Sequence, residues 1–112
     1  MAEGNLDKYE GECQDTQMHG KGFCKFRDGH CYEGQWVEGT MYGKGLYIWS
    51  HKDIFEGGFE NNLKHGMGKY CWQGGSIYVG QWKDDKQNGR GLYYLANGDR
   101  ERASWEKGER QG

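Results

Sequence analysis

The chain contains no proline among its 112 residues, and hydrophobic residues of every kind reach only 34%. No apolar run approaches the length of a membrane-crossing helix. Neither charge sign prevails. Fifteen basic residues against 17 acidic ones leave a net charge of -2, which gives no long-range pull toward nucleic acid or an anionic membrane. The four cysteines, Cys13, Cys24, Cys31 and Cys71, include no C-x-x-C pair. Met1 to Lys8 is short and polar, unlike a secretory leader, so the expectation is reduced thiols in a cytoplasmic protein. No lipidation signal is read at either end. Catalytic signatures are missing too: there is no G-x-S-x-G, no P-loop and no H-E-x-x-H.

Glycine and aromatic rings fill the space that aliphatic residues leave. Glycine supplies 21 residues and aromatics 15% of the chain. Low hydrophobicity alone would argue for disorder. Disordered chains are poor in aromatics, however, and one buried Tyr or Trp removes roughly 150–250 Å² from water. Such a chain can order around a thin core of rings.

Those rings and glycines recur with a period of 23 residues. Counted from Tyr9, the units are 9–31, 32–54, 55–77 and 78–100, with a partial unit 101–112 and a polar tail 1–8. No insertion or deletion is needed. The first position holds Tyr9, Tyr32, Phe55, Tyr78 and Glu101. The third holds Gly11, Gly34, Gly57, Gly80 and Ala103. The fifth holds Cys13, Trp36, Phe59, Trp82 and Trp105. Position twelve is always glycine, from Gly20 to Gly112, and position fourteen is Gly22, Gly45, Gly68 and Gly91.

Each unit reads as two strands and two turns. Tyr32 to Trp36 alternates large and small or polar residues, the period of a half-buried strand. A second strand is predicted from about Tyr42 to Trp49. The turn between them contains Thr16, Gly39, Asn62, Asp85 or Gly108, residues that tolerate positive φ. Asp28-Gly29, Gly74-Gly75 and Asn97-Gly98 link successive units as hairpin dipeptides. Ser50 to Asp53 has no glycine, so a different or looser turn is expected there. Helix is disfavoured, because every stretch would carry glycines costing about 1 kcal/mol each. Glycine also weakens strands, and a large ring lying over the bare backbone is the expected compensation. Trp36, Phe59 and Trp82 are predicted to cover the glycines of positions twelve and fourteen.

The pattern Y-E-G-x-W-x-x-G-x-x-x-G-x-G, followed by an aromatic strand and a D-G or N-G turn, resembles the MORN (membrane occupation and recognition nexus) repeat. The resemblance spans Tyr9 to Gly112. It departs at Cys13, at the turn near Lys52, and at Glu101 and Ala103. It implies an all-β fold: an elongated single-layer antiparallel sheet of stacked β-hairpins, with an aromatic-lined groove. Terminal units differ as capping or truncated repeats do. The resemblance also implies placement in a cytoskeletal or ciliary assembly, or contact with membrane lipid.

Candidate binding residues follow from the repeat columns. Tyr32, Trp36, Tyr47, Trp49, Tyr70, Trp72, Tyr78, Trp82 and Tyr93 would line a ringed face that takes a helix or extended peptide from a protein partner. The same rings could instead only shield the sheet. Lys21, Lys44, Lys64, Lys86 and Arg90 would be the lipid-binding set. A weaker contact area is considered around Ile48, Ile54, Ile77 and Tyr94 on the other face, which also carries Glu10, Glu33 and Glu56. His19 and His65 share a column with Tyr42 and Asn88, which argues against metal binding. Cys24, His30 and Cys31 lack the paired spacing of zinc ligands. No cofactor, metal or catalytic residue is assigned, and the chain is read as a non-enzymatic scaffold. Residues 101–112 read as half a hairpin, whose open edge could pair with another strand.

Overall fold

The computed structural model describes residues 6–14 and 17–111, without the side chains of 6, 7, 12–14 and 17. The expectations resting on the Cys13 side chain, on Thr16 and on Gly112 lie outside the described residues. Ten strands form one antiparallel sheet in strict sequence order. They are β1 (Leu6–Gln14), β2 (Gln17–Phe26), β3 (Cys31–Val37), β4 (Thr40–Ile48), β5 (Ile54–Glu60), β6 (Leu63–Cys71), β7 (Ile77–Lys83), β8 (Lys86–Tyr94), β9 (Arg100–Glu106) and β10 (Glu109–Arg110). The long axis of the molecule measures 46 Å. Nine strand spacings of about 4.8 Å account for nearly all of it, so the units stack along one line. The expected single-layer sheet of hairpins is the observed fold. β1 starts at Leu6, ahead of the Tyr9 boundary, and Leu6 pairs with Phe26.

Within a unit the turn is a tight two-residue connection. Glu38 and Gly39 have φ of 48° and 80°, Asn61 and Asn62 49° and 69°, Asp84 and Asp85 50° and 70°, Lys107 and Gly108 52° and 84°. Positive φ at both central positions is the type I′ arrangement, whose twist matches that of the flanking strands. The turn also ties units together. The N–H groups of Gly39, Asn62, Asp85 and Gly108 donate to the carbonyls of Met18, Met41, Lys64 and Gln87 one unit back, at 2.9–3.2 Å. Asn62 and Asp85 add a second tie, since their Oδ1 atoms accept from the Met41 and Lys64 N–H groups at 2.7 Å.

Between units, four connections share one hydrogen-bond pattern. Phe26, Trp49, Trp72 and Leu95 each donate N–H to the carbonyl four residues on and accept from the N–H three residues on. The expectation of a different turn at 50–53 is therefore corrected. Lys52 adopts φ 82°, where Gly29, Gly75 and Gly98 have φ of 93°, 104° and 96°. Strand pairing on both sides fixes the geometry, and lysine bears the strain. The fifth unit also differs from expectation. It closes as a short hairpin, with Glu109 and Arg110 paired back to Glu106 and Trp105.

The two fixed glycine columns have separate causes. Position twelve needs its backbone conformation: Gly20, Gly43, Gly66 and Gly89 lie at φ 76–85°. There the second strand bulges, so that Gln35 alone stands between the Gly34–Gly45 and Trp36–Met41 pairs. Gln35 Oε1 accepts the Lys44 N–H at 2.8 Å across the gap. Position fourteen needs bare space instead. A Cβ on Gly22, Gly45, Gly68 or Gly91 would strike the ring of Tyr9, Tyr32, Phe55 or Tyr78.

That last observation corrects the predicted cover at position fourteen. The rings over those glycines come from the first position, with Trp82 also touching Gly68, while Trp36, Phe59 and Trp82 stand directly across from the position-twelve glycines Gly20, Gly43 and Gly66. The bulge is the reason. It carries Trp36 past Gly45 and sets it opposite Met41, so Tyr32 leans along its strand and fills the space.

Candidate protein-docking surfaces

The alternation of the strands gives the sheet a ringed face and a smoother one. On the ringed face, first-position rings interlock with fifth-position rings of their own and the following unit. Tyr32 meets Trp36 at 5.1 Å and Phe59 at 5.2 Å, edge to face. Phe55 meets Phe59 at 5.4 Å and Trp82 at 5.3 Å; Tyr78 meets Trp82 at 5.7 Å and Trp105 at 6.1 Å. Each such pair adds about 0.5–1.5 kcal/mol beyond the area it buries. The result is a zipper that substitutes for a second layer.

This zipper divides the candidate binding residues. Tyr32, Trp36, Tyr47, Tyr78 and Trp82 are buried, with Tyr32 and Tyr78 fully enclosed. Burial pushes the phenols of Tyr32, Tyr47, Tyr70 and Tyr78 above their ordinary range. Trp49, Tyr70, Trp72 and Tyr93 remain half-buried and form a continuous outer rim. Successive centroids lie 5.2 Å apart for Trp49–Tyr70, 4.7 Å for Tyr70–Trp72 and 5.8 Å for Trp72–Tyr93.

The rim is held by Asp53, a buried carboxylate. Burial alone would raise its pKa. The Gln73 N–H at 2.9 Å, the Tyr70 hydroxyl at 2.9 Å and the His51 ring at 3.1 Å outweigh burial and hold it below the usual carboxylate range. Asp53 thus steadies both the Lys52 turn and the Tyr70 ring.

The five basic residues assigned to lipid do not form one patch. Lys21, Lys44 and Arg90 face away from the rings, and the neighbouring row on that face holds Glu33 and Glu56. Lys64 belongs to the ringed face. Its Nζ lies 5.2 Å from the Trp49 centroid, 5.8 Å from Phe55 and 5.5 Å from Trp82, and 3.4 Å from Asp85. Met18 and Met41, buried, occupy the same repeat position. Lys86 lies beside Gly108 at the far end. The candidate zinc ligands also separate. Cys24 is buried among the rings, with its thiol pushed up to about 12 by burial. Cys31 opposes Lys25 and faces the other side, and His30 Nδ1 accepts the Ser50 N–H at 2.9 Å.

The smoother face holds a long open groove of about 1230 Å³ across β2 to β6, which the sequence reading missed. Phe23, Tyr42 and Met67 line it and are exposed by 36%, 44% and 60%. Its floor includes Gly34, Gly45 and Gly57. Strand alternation placed Phe23 and Met67 on this face. Gly43 and Gly66, at the bulges, also line it.

A chain of hairpins, one per 23 residues, packed through interlocking rings over paired glycines, defines a hairpin-repeat protein. The family model for the MORN repeat matches at residues 9–31, 32–50, 55–77 and 78–100, and the chain belongs to that family. Such repeats point to a module for protein or membrane-lipid interaction. No curated protein matches the chain.

Proposed function

We propose that this chain is a non-enzymatic adaptor that holds a protein partner against its ringed face. The supporting observation is the half-buried rim of Trp49, Tyr70, Trp72 and Tyr93, continuous across the central units. Tyr and Trp anchor interfaces well because they bury a large area at small rotamer cost. The rim lies on a preformed surface, so little ordering is needed on binding. A helix or an extended peptide can lie along it. Membership of the MORN-repeat family supports a cytoplasmic role within a cytoskeletal or ciliary assembly. The reading includes no cofactor and no catalytic residue.

The test replaces Trp49 and Trp72 together by alanine, with folding checked by circular dichroism. Tyr70 is left in place because its hydroxyl holds Asp53. Affinity purification from the source cell should lose its specific partners with the folded variant. Full retention would reject the ringed rim as the docking surface. Lipid is tested separately, by flotation with vesicles that contain or lack phosphoinositide. Flotation at low salt would favour the membrane alternative, and none is expected.

A further inference from the structure

The groove on the smoother face lies inside the sheet, away from either edge. Every strand from β2 to β8 is paired on both sides. An extended peptide laid on that face would find no backbone partners for its own N–H and C=O groups. A helix brings its hydrogen bonds with it. Its turns repeat every 5.4 Å, close to the strand spacing of about 4.8 Å, so successive turns can meet successive strands. Phe23, Tyr42 and Met67 are three of the five large apolar side chains exposed among the described residues, and all three line this groove. Four strand spacings separate β2 from β6, about 19 Å, or about 13 helical residues.

Charge on this face gives the occupant a direction. Over β2 to β6 it is mixed: Glu33 and Glu56 stand on either side of Leu46, Lys69 lies across from Glu56, and Lys21 and Lys44 line the groove beside them. Further along, the Glu33 row and the rows on either side of it carry Arg90, Arg100 and Arg102 and no carboxylate on β7 to β9. A hollow of about 300 Å³ opens there, lined by Leu92, Arg100 and Arg102. One end of this face is thus of mixed charge, and the other calls for carboxylates.

We propose that this groove docks an amphipathic helix of a partner protein, with its apolar face over Phe23, Tyr42 and Met67 and an acidic C-terminal extension over Arg90, Arg100 and Arg102. The negative end of the helix dipole then points toward the arginines. Guanidinium groups pair with carboxylates bidentately, so this end fixes the register. The site is separate from the ringed rim, and the chain could bridge two partners through its two faces.

A displayed library of peptides about 20 residues long, selected on the folded protein, tests this. Expected winners carry apolar residues at spacings of three and four and acidic residues at the C-terminal end. Their affinity should fall about tenfold or more on Arg100→Glu with Arg102→Glu, and similarly on Tyr42→Glu with Met67→Glu. It should be unchanged on Trp49→Ala with Trp72→Ala. The four groove and arginine positions are exposed, so the charge variants should fold. Winners without acidic ends, winners indifferent to both charge variants, or no winners at all would overturn the proposal. Loss of binding on the tryptophan variant alone would assign the peptides to the ringed rim, leaving that reading intact while removing this one.

Discussion

Met67 and Gly68 are neighbours on β6, yet they serve opposite surfaces. Met67 is 60% exposed beside the groove. Gly68 is buried beneath Phe55 and Trp82 and has no room for a Cβ. In a protein with two layers, both faces of a strand can face packed material. Here one face must be the entire core, and it achieves this with rings over bare backbone. The other face is then relieved of packing duty and can vary. The sequence repeats most strictly where the ringed face is built and most loosely where the smoother face is displayed.

This contrast can be broken first at the zipper. Trp36→Ala removes a fully buried ring between Tyr9 and Tyr32. Denaturant unfolding should show a loss of about 3–5 kcal/mol. A loss below 1 kcal/mol would mean the rings do not act as a core.

A smaller effect belongs to Asp53, and it depends on pH. Its folded pKa is depressed, so its contribution is present above the unfolded value of about 3.9 and fades as pH falls through the lower folded value. Melts of wild type and Asp53→Asn should differ most near neutrality, with wild type the more stable, and converge in acid. A difference that stayed constant with pH would show that the carboxylate is not the source.

Two lesser changes sharpen the ringed side. Lys64→Met puts in the residue found at the same repeat position in Met18 and Met41. It loses the contacts to three rings and to Asp85 but gains apolar burial. The melting point should move by no more than the equivalent of about 1 kcal/mol, whereas Lys64→Glu should destabilise clearly. Lys52→Gly relieves a lysine held at φ 82°. It should stabilise by about 0.5–1 kcal/mol in the same assay, the glycine's greater freedom in the unfolded chain offsetting part of the relief.

Much of the fold was legible in the sequence, because the repeat samples one hairpin several times. The turn columns, the strand pairs and the glycine–ring relation could all be read by comparing copies. What escaped was geometry that a single strand period cannot show. The bulge at Gln35 inserts residues on one strand only, and this decides that Tyr32 rather than Trp36 covers Gly45. The turn at Lys52 misled because composition suggests a turn type while neighbouring strands impose one. The candidate site was less legible. Tyr47, Tyr70 and Tyr93 share one repeat column, yet Tyr47 is buried while Tyr70 and Tyr93 are half-buried. Lys64, a lipid-binding candidate by sequence, lies among rings. Exposure here follows from how successive units overlap, and a repeat column does not encode that overlap.

The most direct measurement compares thermal unfolding of Gly68→Val and Met67→Glu, made singly on the full chain. The substitutions sit on adjacent residues of one strand and differ in the face they alter. Gly68→Val should lower the melting point by more than about 10 °C or prevent folding, while Met67→Glu should stay within about 3 °C of wild type. Equal losses, or a greater loss for Met67→Glu, would contradict a core formed by the ringed face alone.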